Sequence, residues 1–173
     1  MTLGQIYQQQ LDSGQMLPDA AQARVVEQLQ SLLYRLSNEA SSVGKSGLFS
    51  RLFKGKRELP PQRGLYIWGG VGRGKTWLLD LFYNQLPFDD KLRVHFHRFM
   101  RQVHQGLTRL KGEKDPLDKV ASELAATTRV LCLDEFIVSD IADAMILGGL
   151  MHALFKRGVT LVTTSNTEPN QLY

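Results

Sequence analysis

The chain holds a single cysteine, Cys132. That excludes an internal disulfide framework and any multi-cysteine zinc site, and it fits a reducing compartment. Six prolines and 15 glycines among 173 residues are too few for a collagen-like or low-complexity chain. No uncharged apolar run approaches the ~18 residues of a membrane-spanning helix. The first seven residues carry no basic stretch and soon turn polar, so no secretory signal is visible. No internal repeat is evident. The expectation left standing is a soluble intracellular protein.

What is present is ordinary globular composition, 43% hydrophobic and 22% charged. At ~150 residues per domain the length suggests one domain, with room for a small appendage. Such a domain buries about two-thirds of its unfolded surface and needs no disulfide or metal staple. The net charge of +4 permits anionic partners and selects none.

Residues 1–18 are polar and weakly patterned. Asp19 followed by Gln22 has the form of a capping box. Val25, Leu29, Leu32, Leu33 and Leu36 follow at helical spacing, which predicts a helix over 20–37. Residues 38–63 read as a loop containing Pro60-Pro61. Within it, residues 49–57 interleave Phe49, Leu52 and Phe53 with Arg51, Lys54, Lys56 and Arg57. The favoured reading is a solvated loop with apolar anchors. The alternative is peripheral contact with an anionic membrane, nucleic acid or an acidic partner. The organisation expected is an N-terminal helical segment and basic loop over 1–63, then a core over 64–173.

From Gly64 onward apolar runs alternate with helical patterns. Strands are predicted near 65–68, 92–96, 130–133 and 160–164. Helices are predicted from Lys75 to Pro87, through Phe99, Val103, Leu107 and Leu110, from Asp115-Pro116, and after Ser139-Asp140. The apolar stripe over 141–155 reads as core. Gly148-Gly149 inside it implies close packing or a kink, since each glycine costs about 1 kcal/mol relative to Ala. Strands separated by helices imply right-handed parallel crossovers and a three-layer α/β fold.

Three strand ends carry chemistry. Gly69-Gly70-Val71-Gly72-Arg73-Gly74-Lys75-Thr76 fits G-x-x-x-x-G-K-[ST] without mismatch, after a strand and before a helix. Glycines let the backbone wrap phosphate oxygens, and the amides with the helix N-terminus form an anion site. Lys75 reaches the β- and γ-phosphates, and Thr76 offers a hydroxyl to Mg²⁺. Asp134-Glu135 ends the apolar run over 130–133, where parallel sheets place ligands. Asp134 would hold Mg²⁺ directly or through water. Glu135 would accept a proton from the attacking water, or orient it. Thr164-Ser165-Asn166 closes the last strand and offers a hydrogen bond to that water or to the γ-phosphate. The adjacent carboxylates favour hydrolysis over a small-molecule kinase, and the lack of Asn-Lys-x-Asp disfavours GTP. Adenine contacts are expected before the glycine loop. Four histidines, at 95, 97, 104 and 152, raise a metal site, but packing is the favoured reading, with His95 and His97 on one side of a strand.

Residues 64–76, His95-Phe-His-Arg-Phe-Met100, Leu133-Asp-Glu-Phe136 through Met145, and Thr164-Ser-Asn166 resemble the ZapE family of AAA+-type ATPases, which includes mitochondrial lactation-elevated-protein ATPases. The resemblance covers nearly the whole chain. It implies a three-layer P-loop NTPase of AAA+ type, an α/β fold with a parallel sheet preceded by an N-terminal helix. ATP and Mg²⁺ are its implied cofactors. By motif, Gly69 to Thr76 is Walker A, Asp134 and Glu135 are Walker B, and Asn166 is sensor 1. The implied catalytic residues are Lys75, Glu135 and Asn166, with Thr76 and Asp134 on the metal. The implied partners are FtsZ and the division ring, with nucleotide-linked self-association. The implied location is the cytoplasm, with recruitment to the division site at the inner membrane.

Family members continue well past Tyr173, so a fragment is expected. A last core strand, arginine finger, second sensor and lid would lie beyond it. An arginine finger is worth ~10³–10⁵ in rate, so this chain is expected to bind MgATP and turn it over slowly, leaving an exposed sheet edge. A nucleic-acid loader on the same core, and a binding module with little turnover, are the alternatives. No nucleic-acid-reading motif supports the former.

Overall fold

The fold is taken from a computed structural model that describes residues 1–44 and 62–172, with side chains of 40–44 left aside. The 49–57 segment lies outside the described residues. Four strands, β1 (Leu65–Trp68), β2 (Lys91–His95), β3 (Val130–Asp134) and β4 (Thr160–Ser165), form one sheet in the order β1-β4-β3-β2. All neighbours are parallel. β3 is buried along its full length, as its unbroken apolar run demands.

Its alternation divides the core. Val130 and Cys132 face one layer, and Leu131 and Leu133 face the other. The first layer holds α1 (Leu3–Asp12), α2 (Ala20–Gly44) and α3 (Lys75–Gln85). Leu29, Leu32 and Leu36 of α2 pack there with Leu78, Leu79 and Phe82 of α3 in one cluster. The second layer holds α4 (Phe96–Arg109), α5 (Pro116–Thr127) and α6 (Ile141–Lys156). Burial pushes the Cys132 thiol up to about 12, so it is inert packing. Among the described residues no helix is long and apolar enough to cross a membrane.

Several expectations change. Two N-terminal helices replace the single one expected. Thr2 and Gln5 form a reciprocal capping box that starts α1, and Leu3 and Tyr7 bury its inner face. The capping box expected at Asp19 is half made: Asp19 accepts from Ala21 N at 2.8 Å, but Gln22 reaches to the Arg73 carbonyl instead. His97 lies on α4, because β2 ends at His95 and passes straight into that helix. No group of three His, Cys, Asp or Glu among the described residues is placed to hold a metal.

α6 is continuous through its glycines. A Cβ on Gly149 would stand 2.8 Å from Leu117 Cδ2, so close packing explains that one. Nothing in the structure explains Gly148. The 141–155 stripe is core only in part. Leu147, Leu150 and Leu154 are buried, whereas Ile141 and Met145 are 65% and 75% exposed. α6 buries only the side that packs into the second layer. Gly64 has a firmer reason: its Cβ would lie 1.7 Å from the Leu161 carbonyl oxygen, so only glycine fits beside β4.

Candidate functional site

A cleft of about 420 Å³ opens where β1, β3 and β4 end. Residues 71–77, Glu135 and residues 164–166 line it. Strand ends in this position are where parallel sheets receive ligands.

The loop between β1 and α3 is built by its glycines. Gly69, Gly72 and Gly74 have φ of 151°, 77° and 75°, values that L side chains rarely adopt. Apart from chain neighbours, no atom lies within 4 Å of where a Cβ on Gly69, Gly70 or Gly72 would stand, so these positions border open space. Gly74 is the N-cap of α3 and supplies no side-chain hydrogen bond. The first-turn amides of that helix are left to whatever enters the cleft. Lys75 Nζ donates to the carbonyls of Gly69 at 2.7 Å and Gly70 at 2.6 Å, folded back over its own loop. Burial, and then the charge of Arg73, lower its pKa below the ordinary lysine value.

The N-terminal helices brace this loop from outside. Asp19 divides its carboxylate: Oδ1 caps α2, and Oδ2 accepts from Arg73 Nη2 at 2.6 Å and Nε at 3.1 Å. The Arg73 hydrogen bond, helped by the Ala21 amide, holds the Asp19 carboxyl below its usual value. Gln22 Nε2 donates to Arg73 O at 2.9 Å. Arg73 is thus tied to the start of α2 through both its guanidinium and its carbonyl.

β4 shapes the far wall. Glu135 sits at φ 54°, an uncommon conformation for a non-glycine residue. The end of β4 holds the turn in place: Glu135 N donates to Thr164 Oγ1 at 3.2 Å, and Phe136 N to Thr164 O at 2.7 Å. The Ser165 hydroxyl is committed to Phe136 O at 2.6 Å. Of the Thr164-Ser165-Asn166 trio, two side chains thus serve the turn, and the exposed Asn166 is left facing the cleft. The Glu135 side chain is 73% exposed, and its Oε2 is 3.8 Å from His95 Nδ1.

Asp134 is placed differently from its neighbour. Its side chain is 6% exposed and does not line the cleft. Arg93 of β2 grips both its oxygens, Nε to Oδ2 at 2.7 Å and Nη2 to Oδ1 at 3.2 Å, and also donates through Nη1 to Asp80 of α3. Burial opposes the charged guanidinium, but the bonds to Asp134 and Asp80 outweigh it and raise its pKa. Sequence reasoning missed Arg93, Asp80 and Gln22. A cation inside the Leu92–Val94 strand pattern was the available signal for Arg93. Asp80, four residues beyond Thr76, shares a helix face with it.

The donor set fits Mg²⁺, a hard cation bound through oxygens. Thr76 offers a hydroxyl at the exposed first turn of α3, and each Asp134 oxygen keeps a lone pair beyond its bond to Arg93. The glycine loop that precedes Thr76 fits a polyphosphate.

The AFG1-like ATPase family model matches residues 1–173. The chain is 54% identical over 173 residues to the cell division protein ZapE of Escherichia coli (strain K12), an alignment covering 96% of this chain and 46% of that protein. It is 49% identical over 125 residues to the lactation elevated protein 1 homolog B of Danio rerio, covering 66% and 25%. The chain thus spans under half the length of these curated relatives. Among solved structures, AMPPCP-bound DnaA from Aquifex aeolicus matches with TM-score 0.58 at 15% identity, over 91% of this chain and 42% of that one. DnaI matches with TM-score 0.57 at 18% identity, over 90% and 71%. These likenesses show a P-loop NTPase fold. With the family model spanning every residue and more than half of them identical to one relative across the match, the chain belongs to the AFG1-like ATPase family.

Proposed function

We propose that the cleft binds ATP with Mg²⁺ and hydrolyses it, and that the protein is an AAA+-type ATPase of bacterial cell division acting on FtsZ polymers. The observation that carries the chemistry is the convergence of Lys75, Thr76, Glu135 and Asn166 on one cleft.

The α3 N-terminus and the loop amides receive the β- and γ-phosphates. Lys75 exchanges the Gly69 and Gly70 carbonyls for phosphate oxygens, which hold its proton better than its present, partly desolvated setting does. Glu135, held at its angle by Thr164, takes or orients the proton of the attacking water. Asn166 donates its amide to that water or to the γ-phosphate. Thr76 and Asp134 would hold Mg²⁺, which when bound neutralises charge developing on the phosphates. Loss of the γ-phosphate removes contacts from both cleft walls and gives the fold two states to offer a partner.

The division role draws on the similarity to a cell division protein. FtsZ is the partner implied by the motif resemblance, and the division site at the inner membrane is the implied location. The test is ATP turnover by this chain in buffer, with FtsZ filaments and with DNA. Stimulation by filaments alone supports the reading. Stimulation by DNA alone overturns the FtsZ assignment, and failure to bind ATP overturns the site.

A further inference from the structure

The Arg93 guanidinium joins two elements that carry the two proposed metal-binding side chains. Asp134 ends β3, and Thr76 opens α3. Asp80 lies one turn beyond Thr76 on the same helix face. Arg93 reaches Asp80 with Nη1 and Asp134 with Nε and Nη2, so one planar, rigid group ties that helix face to that strand end. The register makes this possible: Arg93 pairs with Cys132, and His95 pairs with Asp134, so the arginine stands two residues below the carboxylate and reaches up to it.

The geometry is oriented as well as charged. Asp134 is nearly buried, with a different nitrogen on each oxygen, and such a fork fixes the plane of the carboxylate. Asp80 is half exposed and serves as an anchor at the outer end. Without Arg93, the nearly buried Asp134 would lose its guanidinium partner and would be free to turn.

We propose that Arg93 is a positioning residue for the metal: by fixing the Asp134 carboxylate relative to Thr76 it sets how strongly Mg²⁺ reinforces ATP binding. This rests on the reading of the cleft as an MgATP site. A merely structural ion pair would alter folding, or nucleotide affinity with and without metal alike. A positioning role alters the ratio of the two affinities.

The test is titration of a fluorescent ATP analogue in EDTA and in excess Mg²⁺, on the wild-type chain and on Arg93→Gln, Arg93→Lys and Asp80→Asn. The wild type gains affinity from Mg²⁺. In Arg93→Gln that gain shrinks about tenfold, the size of one charge-assisted hydrogen bond, while affinity in EDTA holds. Arg93→Lys recovers part of the gain, since it restores the charge without the fork. Asp80→Asn loses about threefold of the gain, as an exposed anchor should. If Arg93→Gln does not fold, the exposed Asp80→Asn decides, and an unchanged gain there overturns the inference. An unchanged gain in a folded Arg93→Gln overturns the inference while the MgATP reading stands. A wild-type chain that binds no nucleotide overturns both.

Discussion

Helices α3 and α6 each follow a strand of the same sheet, yet their first turns are finished in opposite ways. At α6, Asp140 accepts from Asp143 N at 2.7 Å and closes the turn with the chain's own side chain. At α3, Gly74 stands at the same position with φ 75° and no side chain. Side chains cap α1 (Thr2), α2 (Asp19) and α6 (Asp140), whereas α3, α4 and α5 have no side-chain cap. At α3 the open amides come with a lysine, a hydroxyl and an acidic wall, and there the missing cap reads as a place for phosphate.

The comparison breaks most sharply at Glu135. Glu135→Gln should lower turnover by about 10²–10⁴-fold with nucleotide still bound, measured by phosphate release and by titration. Next is Lys75→Ala, which removes the charged donor beside the open turn. ATP affinity should fall about 10–100-fold by calorimetry, while thermal stability changes little. Gly74→Ala forces a Cβ to within 2.9 Å of Gln22 Nε2 at a left-handed φ. It should cost about 1–2 kcal/mol in denaturant unfolding and weaken nucleotide binding as well. Asp140→Ala gives the converse result: about 1 kcal/mol lost in unfolding and no change in ATP affinity. The smallest effect is with pH. Lys75 binds phosphate as an ammonium, and its free-state pKa is lowered. Affinity should therefore fall as pH rises, with an onset below the ordinary lysine value of about 10.4, in a titration that Lys75→Ala abolishes.

The glycine loop and the strand ends were legible because each motif is contiguous and its neighbours declare the strand or helix that holds it. β3 could be read as buried on both faces from four successive apolar residues. Other features depend on contacts far apart in sequence. α1 shows only Leu3, Ile6, Tyr7 and Leu11 at helical spacing in a polar stretch, too thin a stripe to read before α2 covers it. The link from Arg93 to Asp134 and Asp80 exists only once β2 and β3 pair in register beside α3. The exposed half of α6 was hidden by its uniformity, since no polar stripe marks which side meets solvent. Thr164 and Ser165 hold the Glu135 turn, a role that could not be read beforehand because the shape of that turn is not written in the residue types that form it.

The most direct test of the account is a backbone amide NMR titration with MgATP. The central claim is that the uncapped α3 turn and the glycine loop receive the phosphates. The account predicts the largest shifts at amides 69–77, smaller ones at 135 and 166, and none at 141–144, where α6 is already capped. Shifts centred on 141–144, or an unmoved 69–77 stretch with nucleotide bound, would contradict it.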